Sequence, residues 1–225
     1  MKTTFTKFLM GVFAFGFFQV PAFGQTFTGF EIDAGWSLPT QIGARFKAFL
    51  NNTTYLAAGA GYSPGFTSGA TEFMTIGPSK EGSFILSQSL YNSFVIDLRA
   101  GYQEKVDEGL YFEGGYNYFT GGKGSVTETD IAEYDIALTP SFGDYEVKSS
   151  LHALAAWAGY VFKMSGLVLK AEVGLVKPLS SDNSFDAESG FVSPFLKDAI
   201  EDEMTDLWGQ AFIFNAGLHV IIPLK

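Results

Sequence analysis

The chain contains no cysteine, which excludes disulfides, thiolate metal sites and lipid attachment through a lipobox cysteine. Charge is scarce too. Only 17% of residues are charged while 47% are hydrophobic, a balance unlike that of an ordinary soluble secreted domain. The charge present is mostly negative, 24 acidic residues against 14 basic, and speaks against a nucleic-acid partner. Long apolar runs are also missing: no stretch reaches the roughly 18 residues of a membrane-spanning helix.

What is present begins with a leader-like pattern. Lys2 and Lys7 precede an apolar run from Phe8 to Val20, followed by Pro21-Ala22-Phe23-Gly24. The run is too short to span a bilayer, and small residues stand three and one positions before Gln25, so the pattern predicts a secretory signal peptide over residues 1–24. Without its two lysines, residues 25–225 carry 12 basic and 24 acidic groups, a net charge of −12.

Beyond the leader, eight stretches alternate apolar with small or polar residues. They run at about Phe27–Leu38, Ile42–Leu50, Tyr55–Tyr62, Tyr91–Gln103, Leu110–Phe119, Leu151–Phe162, Leu167–Val176 and Ala211–Ile222. Asn51–Thr54, Glu104–Gly109 and Lys163–Gly166 are tight connections, whereas Ser63–Leu90, Thr120–Ser150 and Lys177–Gln210 are long and fall at every second junction. A brief connection at Pro39–Gln41 shares their end. Short turns at one end and long loops at the other, around strands of about ten residues, predict an all-β, eight-stranded, antiparallel up-and-down transmembrane barrel.

The faces agree with that reading. In the fourth strand Phe94, Ile96, Leu98, Ala100 and Tyr102 share one face, against Ser93, Asp97, Arg99, Gly101 and Gln103. The seventh and eighth divide in the same way, but the sixth does not, because both its faces are apolar or small. Trp36, Tyr62, Tyr118 and Phe212 stand at the long-loop ends of strands and Tyr102, Tyr160 and Phe162 at the short-turn ends, two girdles of the kind that lipid headgroups favour. With the leader, the Gly-Tyr pairs at Gly61-Tyr62, Gly101-Tyr102, Gly115-Tyr116 and Gly159-Tyr160 and a last alternating strand, the chain resembles the small outer-membrane β-barrel families of Gram-negative bacteria, the OmpX/OmpW/OmpA-like group. It departs from them in ending Ile221-Ile222-Pro223-Leu224-Lys225 rather than on an aromatic residue. The resemblance implies residence in the bacterial outer membrane.

Two constellations stand out. On the inward parity, Glu31, Asp33, Asp97, Glu113 and Glu172 face Arg45, Lys47, Arg99 and Lys170, which predicts a charge network filling a lumen just wide enough for side chains. In the last long loop Ser193-Pro194 opens a helix-like stretch with Leu196, Ile200, Met204 and Leu207 on one side, since Ser caps free amides and Pro fits the first turn. Asp198, Glu201, Asp202, Glu203, Asp206 and Trp208 form the expected interaction surface of this short helix. The three long loops carry −1, −4 and −6 of the net charge, so the cap of the barrel is acidic.

Signals for enzymes are weak. Gly61-Tyr62-Ser63-Pro64-Gly65 matches the G-x-S-x-G string but has Pro where a nucleophile elbow begins its helix. Ser149, Ser150 and His152 would need an orienting acid. Gly121-Gly122-Lys123-Gly124-Ser125 lacks the Ser or Thr after Lys and the helix of a phosphate loop. Asp182, Asn183, Asp186 and Glu188 lack the glycine and terminal glutamate spacing of a calcium loop. No enzyme, cofactor or dedicated metal site is expected. The expected role is surface interaction or envelope integrity through the acidic loops, with outer-membrane lipid, lipopolysaccharide bridged by divalent cations and an extracellular ligand as partners. The alternative is a porin-like narrow pore or transporter for small or hydrophobic solutes.

Overall fold

A computed structural model describes residues 27–105, 108–127, 129–130, 144–188 and 192–224. The leader and its cleavage point lie outside the described residues, as do Glu128, Glu133 and Asp135 of the acidic loop. Eight long strands among the described residues follow the expected order: β1 (Gly29–Leu38), β2 (Gln41–Phe49), β3 (Thr54–Ser63), β5 (Ser93–Gln103), β6 (Gly109–Thr120), β8 (Tyr145–Met164), β9 (Leu167–Ala187) and β10 (Phe212–Leu224). Each pairs antiparallel with its neighbours, and β1 pairs with β10 from Phe30↔Leu224 to Leu38↔Ala216. The sheet is a closed barrel.

Its outer surface is apolar. Phe94, Ile96, Leu98 and Tyr102 of β5 and Phe212, Phe214, Leu218, Val220 and Ile222 of β10 are exposed, while the residues between them on β5 are buried. From Phe94 to Tyr102 this face runs about 27 Å along the strand, at roughly 3.4 Å per residue. After strand tilt that suits the hydrocarbon band of a membrane barrel. The girdle residues Trp36, Tyr62 and Phe212 at one end and Tyr102 and Tyr160 at the other are likewise exposed.

The barrel wall is uneven in height. β1, β2 and β3 have 10, 9 and 10 residues, whereas β8 and β9 have 20 and 21, so the hairpin they form rises well above the rim. Alternation alone ends these two strands near Leu151 and Val176. In β9 the reason is a register shift: His152 pairs with Ser180 and Ala153 with Pro178, leaving Leu179 as an extra residue. Such a bulge reverses the parity of the strand. Lys170, Glu172 and Val176 point inward below it, and Phe185 is the buried residue above it.

The long loops build a cap inside this raised hairpin. Helix α3 (Pro194–Gln210) opens as the sequence predicts, with the Ser193 side chain accepting from Leu196 N at 3.2 Å, and is 17 residues long. The first long loop is helical too, with a 3-10 turn (Gly65–Thr67), α1 (Ser68–Met74) and α2 (Lys80–Ser89). Between α1 and α2, β4 (Thr75–Ile76) pairs with the start of β10 where β1 does not reach, and β7 (Gly124–Val126) pairs with the top of β8. Leu86 and Leu90, together with Leu207 and Trp208, pack on Val95, Phe119, Leu151, Trp157, Val176 and Ile213 of the barrel interior. A second apolar cluster above joins Ile85, Tyr145, Phe185, Leu196, Ile200 and Met204. This packing settles the facing of β8: Leu151, Ala153, Ala155 and Trp157 point inward and are apolar because they meet helices, while His152 points outward beside Tyr116 and Tyr118.

Candidate functional site: a charge network beneath an apolar plug

The closed wall brings the nine lumen charges into one cross-section below the plug. The strand register sets the pairs. Asp33 stands directly opposite Arg45, and Glu31 opposite Lys47. Long side chains lie across the gaps left by small ones: Gly59 faces both Arg45 and Asp97, and Gly159 and Gly217 flank Glu172. At Gly217 a Cβ would stand 2.7 Å from Glu172 Cγ, and at Gly174 one would collide with Trp157 Cδ1. The glycines of the inward face are thus seats for the network.

Lys170 is its hub. Its ammonium lies 2.9 Å from Glu113 Oε1, 3.1 Å from Asp33 Oδ2 and 3.1 Å from Glu172 Oε2. Arg99 donates to Glu113 Oε2 at 2.6 Å and stacks on Trp157, its guanidinium carbon 3.4 Å from the ring centroid. Arg45 donates to Asp97 Oδ2 at 2.9 Å and to Ser37 Oγ at 3.1 Å. Lys47 approaches Asp33 Oδ2 at 3.4 Å and the Tyr55 ring at 4.9 Å. Glu31 is buried at the short-turn end of the same face.

Several members of the network are not among the sequence candidates. His219 bridges Asp33 Oδ1 at 2.8 Å and Glu172 Oε1 at 3.1 Å, adding a fifth nitrogen base where sequence parity counts five acids against four bases. Tyr55 donates to Glu113 Oε1 at 2.6 Å, Tyr111 to Glu172 Oε2 at 3.1 Å, Ser37 to Glu172 Oε1 at 2.5 Å and Gln41 to Asp97 Oδ2 at 2.7 Å. All lie on the inward parity, so alternation would have found them. Buried charges are stable only when paired and hydrogen-bonded, and hydroxyl and amide donors supply what the cations leave open.

The second group of candidates, on α3, is divided by the fold. Asp198, Asp202 and Asp206 are exposed, Glu203 is half-buried, and Glu201 accepts from the Phe185 amide at 3.0 Å. Trp208 does not belong with them. It is 1% exposed and donates from Nε1 to Ser149 Oγ at 3.0 Å, because it continues the Ile200, Met204 stripe at four-residue spacing. Asp186 accepts from Lys197 at 2.6 Å and from Ser184 at 2.8 Å, tying the start of α3 to β9. Lys197 and Ser184 hold its carboxyl below the usual aspartate range, and the Asp186 carboxylate raises the Lys197 ammonium.

No protein-family model matches the sequence, and no curated protein matches it. Among solved structures, the chain is similar to a major outer membrane protein from Thermus thermophilus, with 14% identity over 86% of this chain and 98% of that one and a TM-score of 0.36.

Of the serines and histidine of β8, Ser150 lies on the outward parity with its hydroxyl 3.3 Å from Thr120 Oγ1. Ser149 faces the plug, whereas His152 is on the outer face, bonded to the Tyr116 hydroxyl. Ser63 of the G-x-S-x-G string is buried, its hydroxyl 3.5 Å from Pro39 O. Among the described residues no three His, Cys, Asp or Glu side chains are grouped to hold a metal ion.

Proposed function

We propose that this chain is a bacterial outer-membrane barrel with a closed lumen, whose non-enzymatic work in surface interaction or envelope integrity is done by its acidic cap. The observation that carries the reading is the double closure. The network of Asp33, Arg45, Asp97, Arg99, Glu113, Lys170, Glu172 and His219 spans the barrel, and Leu86, Leu90, Leu207 and Trp208 fill the space above it. Eight strands enclose an interior narrow enough for side chains to fill, and here both layers supply them. The apolar belt supports a bilayer location, and the size and topology suit the OmpX/OmpW/OmpA-like group.

What remains accessible is the cap. Asp198, Asp202 and Asp206 line the free side of α3, with Asp182 exposed on the raised hairpin. Such carboxylates suit loose bridging through divalent cations to lipopolysaccharide phosphates. The test is single-channel recording in planar bilayers on protein whose folding is verified by its heat-dependent gel mobility. Silence is expected, and discrete, reproducible current steps would replace this reading with the narrow pore. Replacing Asp198, Asp202 and Asp206 together by Asn should weaken calcium-dependent binding to lipopolysaccharide vesicles; undiminished binding would remove the bridging role.

A further inference from the structure

The segment Gly65–Ile76 is built inside out for a protein surface in water. Thr67, Thr71 and Thr75, at successive four-residue spacings, are buried, only 4%, 5% and 7% exposed. Phe66, Phe73 and Ile76, on the opposite side, are 80%, 89% and 54% exposed. Water-soluble elements bury the large apolar side chains and expose the small polar ones, and contiguous exposed apolar patches mark interaction surfaces. The buried hydroxyls are satisfied locally: Thr67 donates to Pro64 O at 2.7 Å, Thr71 to Thr67 O at 3.2 Å and Thr75 to Thr71 O at 2.6 Å. Nothing in the segment's own bonding requires the aromatic side to be free.

The direction of that side follows from register. Thr75 pairs with Ile213 and Ile76 with Phe212, and residues directly opposite on antiparallel strands share a face. Ile213 is fully buried in the barrel while Phe212 lies on the outer belt, so Ile76 faces outward with the belt. Phe66 and Phe73 are seven residues apart, two helical turns, and lie on one side of the segment. Thr67 Oγ1 also lies 3.3 Å from Pro39 O, which seats the segment on the β1–β2 turn. This is the low side of the wall, where Trp36 and Tyr62 are already exposed.

We infer that Phe66, Phe73 and Ile76 extend the lipid-facing belt over the low side of the barrel, dipping the first long loop into the acyl–headgroup boundary of the membrane. The inference rests on the bilayer location proposed above. The occupant is lipid because the patch continues the belt through Phe212 to Phe214 and Leu218; the Lys177 ammonium lies over the Phe212 ring at 4.3 Å, a placement that suits the acyl–headgroup boundary. In effect the segment raises the wall where β1, β2 and β3 are short, as the β8–β9 hairpin does on the other side.

A chain without cysteine permits a clean test. Single-cysteine variants Phe73→Cys, Phe66→Cys, Val173→Cys in the outer belt and Asp202→Cys on the free side of α3 are nitroxide-labelled and refolded into phosphatidylcholine vesicles, with folding checked by gel mobility. Collision with oxygen and with a water-soluble nickel chelate is then measured. The labels at 73 and 66 should resemble the one at 173, with an oxygen-to-nickel ratio several-fold above that at 202. A lipid-like label at 173 with water-like labels at 73 and 66 would overturn this inference alone. Dipolar broadening at 73, relieved by unlabelled protein, would overturn it in favour of a second copy. A water-like label at 173 would overturn the bilayer location and this inference with it.

Discussion

Replacing Lys170 by Met keeps most of the side-chain volume and removes one charge from the centre of the network. Three carboxylates lose a partner within 3.1 Å, yet none is left alone. Asp33 keeps His219 at 2.8 Å and Lys47 at 3.4 Å, Glu113 keeps Arg99 and Tyr55, both at 2.6 Å, and Glu172 keeps His219, Ser37 and Tyr111. Breaking a buried ion pair costs about 3–5 kcal/mol, and the remaining partners place Lys170→Met near the lower bound, about 3 kcal/mol. At about 1.4 kcal/mol per factor of ten, that is roughly a hundredfold in the unfolding equilibrium. Urea unfolding in lipid vesicles, followed by tryptophan fluorescence and gel mobility, reads the change. Adding Glu113→Gln should cost less than the sum of the two single changes, by about 0.5–3 kcal/mol, as for residues in direct contact. A single-variant loss below about 1 kcal/mol, or strict additivity, would refute the picture of Lys170 as the hub.

Other perturbations separate the layers. Trp208→Ala removes the largest side chain of the plug and should cost about 3–5 kcal/mol; the loss should show as faster proteolysis within residues 194–210 while the barrel stays folded, and unchanged resistance would count against the plug. Gly174→Val places new atoms against Trp157 and should cost about 1–3 kcal/mol, with the double variant Gly174→Val/Trp157→Ala losing less than the sum in the same urea assay. The Asp186–Lys197 tie has a defined pH window. The aspartate is lowered from its ordinary value of 3.8, so its contribution is present above that value and lost as pH falls through the lowered one. The lysine is raised from 10.5, so its contribution is present below that value and lost as pH rises through the raised one. Amide exchange at the start of α3 should therefore be flat across neutral pH, after correction for intrinsic rates, and accelerate in strong acid; Lys197→Met should abolish the acid step, and its persistence in that variant would refute the assignment.

Strand order, facing and most of the network are legible because lipid and lumen impose opposite polarity on alternate residues. β5 shows this best: every second residue from Phe94 to Tyr102 is exposed and the residues between are buried. Legibility fails where that contrast fails. β8 packs its inward face on helices, so Leu151, Ala153 and Ala155 look no different from its lipid side. β9 changes parity at Leu179, and alternation read as one phase stops there. His219 stands in plain view on the polar face of β10, but a count of lysines and arginines against acids passes over an imidazole. Trp208 reads with the acidic surface because Leu207 completes the apolar stripe, although its four-residue spacing from Met204 points inward equally well. In the first long loop α1 gives no usual signal, since it buries Thr71 and exposes Phe73, whereas α2 carries one in Ser79, whose side chain caps Gly82 N.

That inversion bears on where water begins on this molecule. In the barrel, charged residues such as Lys47 and Lys170 are buried while Phe94 and Leu218 are exposed; in α3 the order is the ordinary one, with Ile200 and Met204 buried and Asp202 and Asp206 exposed. A side chain's preferred side depends on the solvent its element meets, so the polarity of each element reports that solvent. The barrel strands report lipid and α3 reports water. Gly65–Ile76 is helical as far as Met74 and belongs to a loop, yet it carries the polarity of the strands. On the low side of the wall the boundary therefore runs above this segment rather than at the ends of β1 and β2, and a planar bilayer meets a belt made level by a loop.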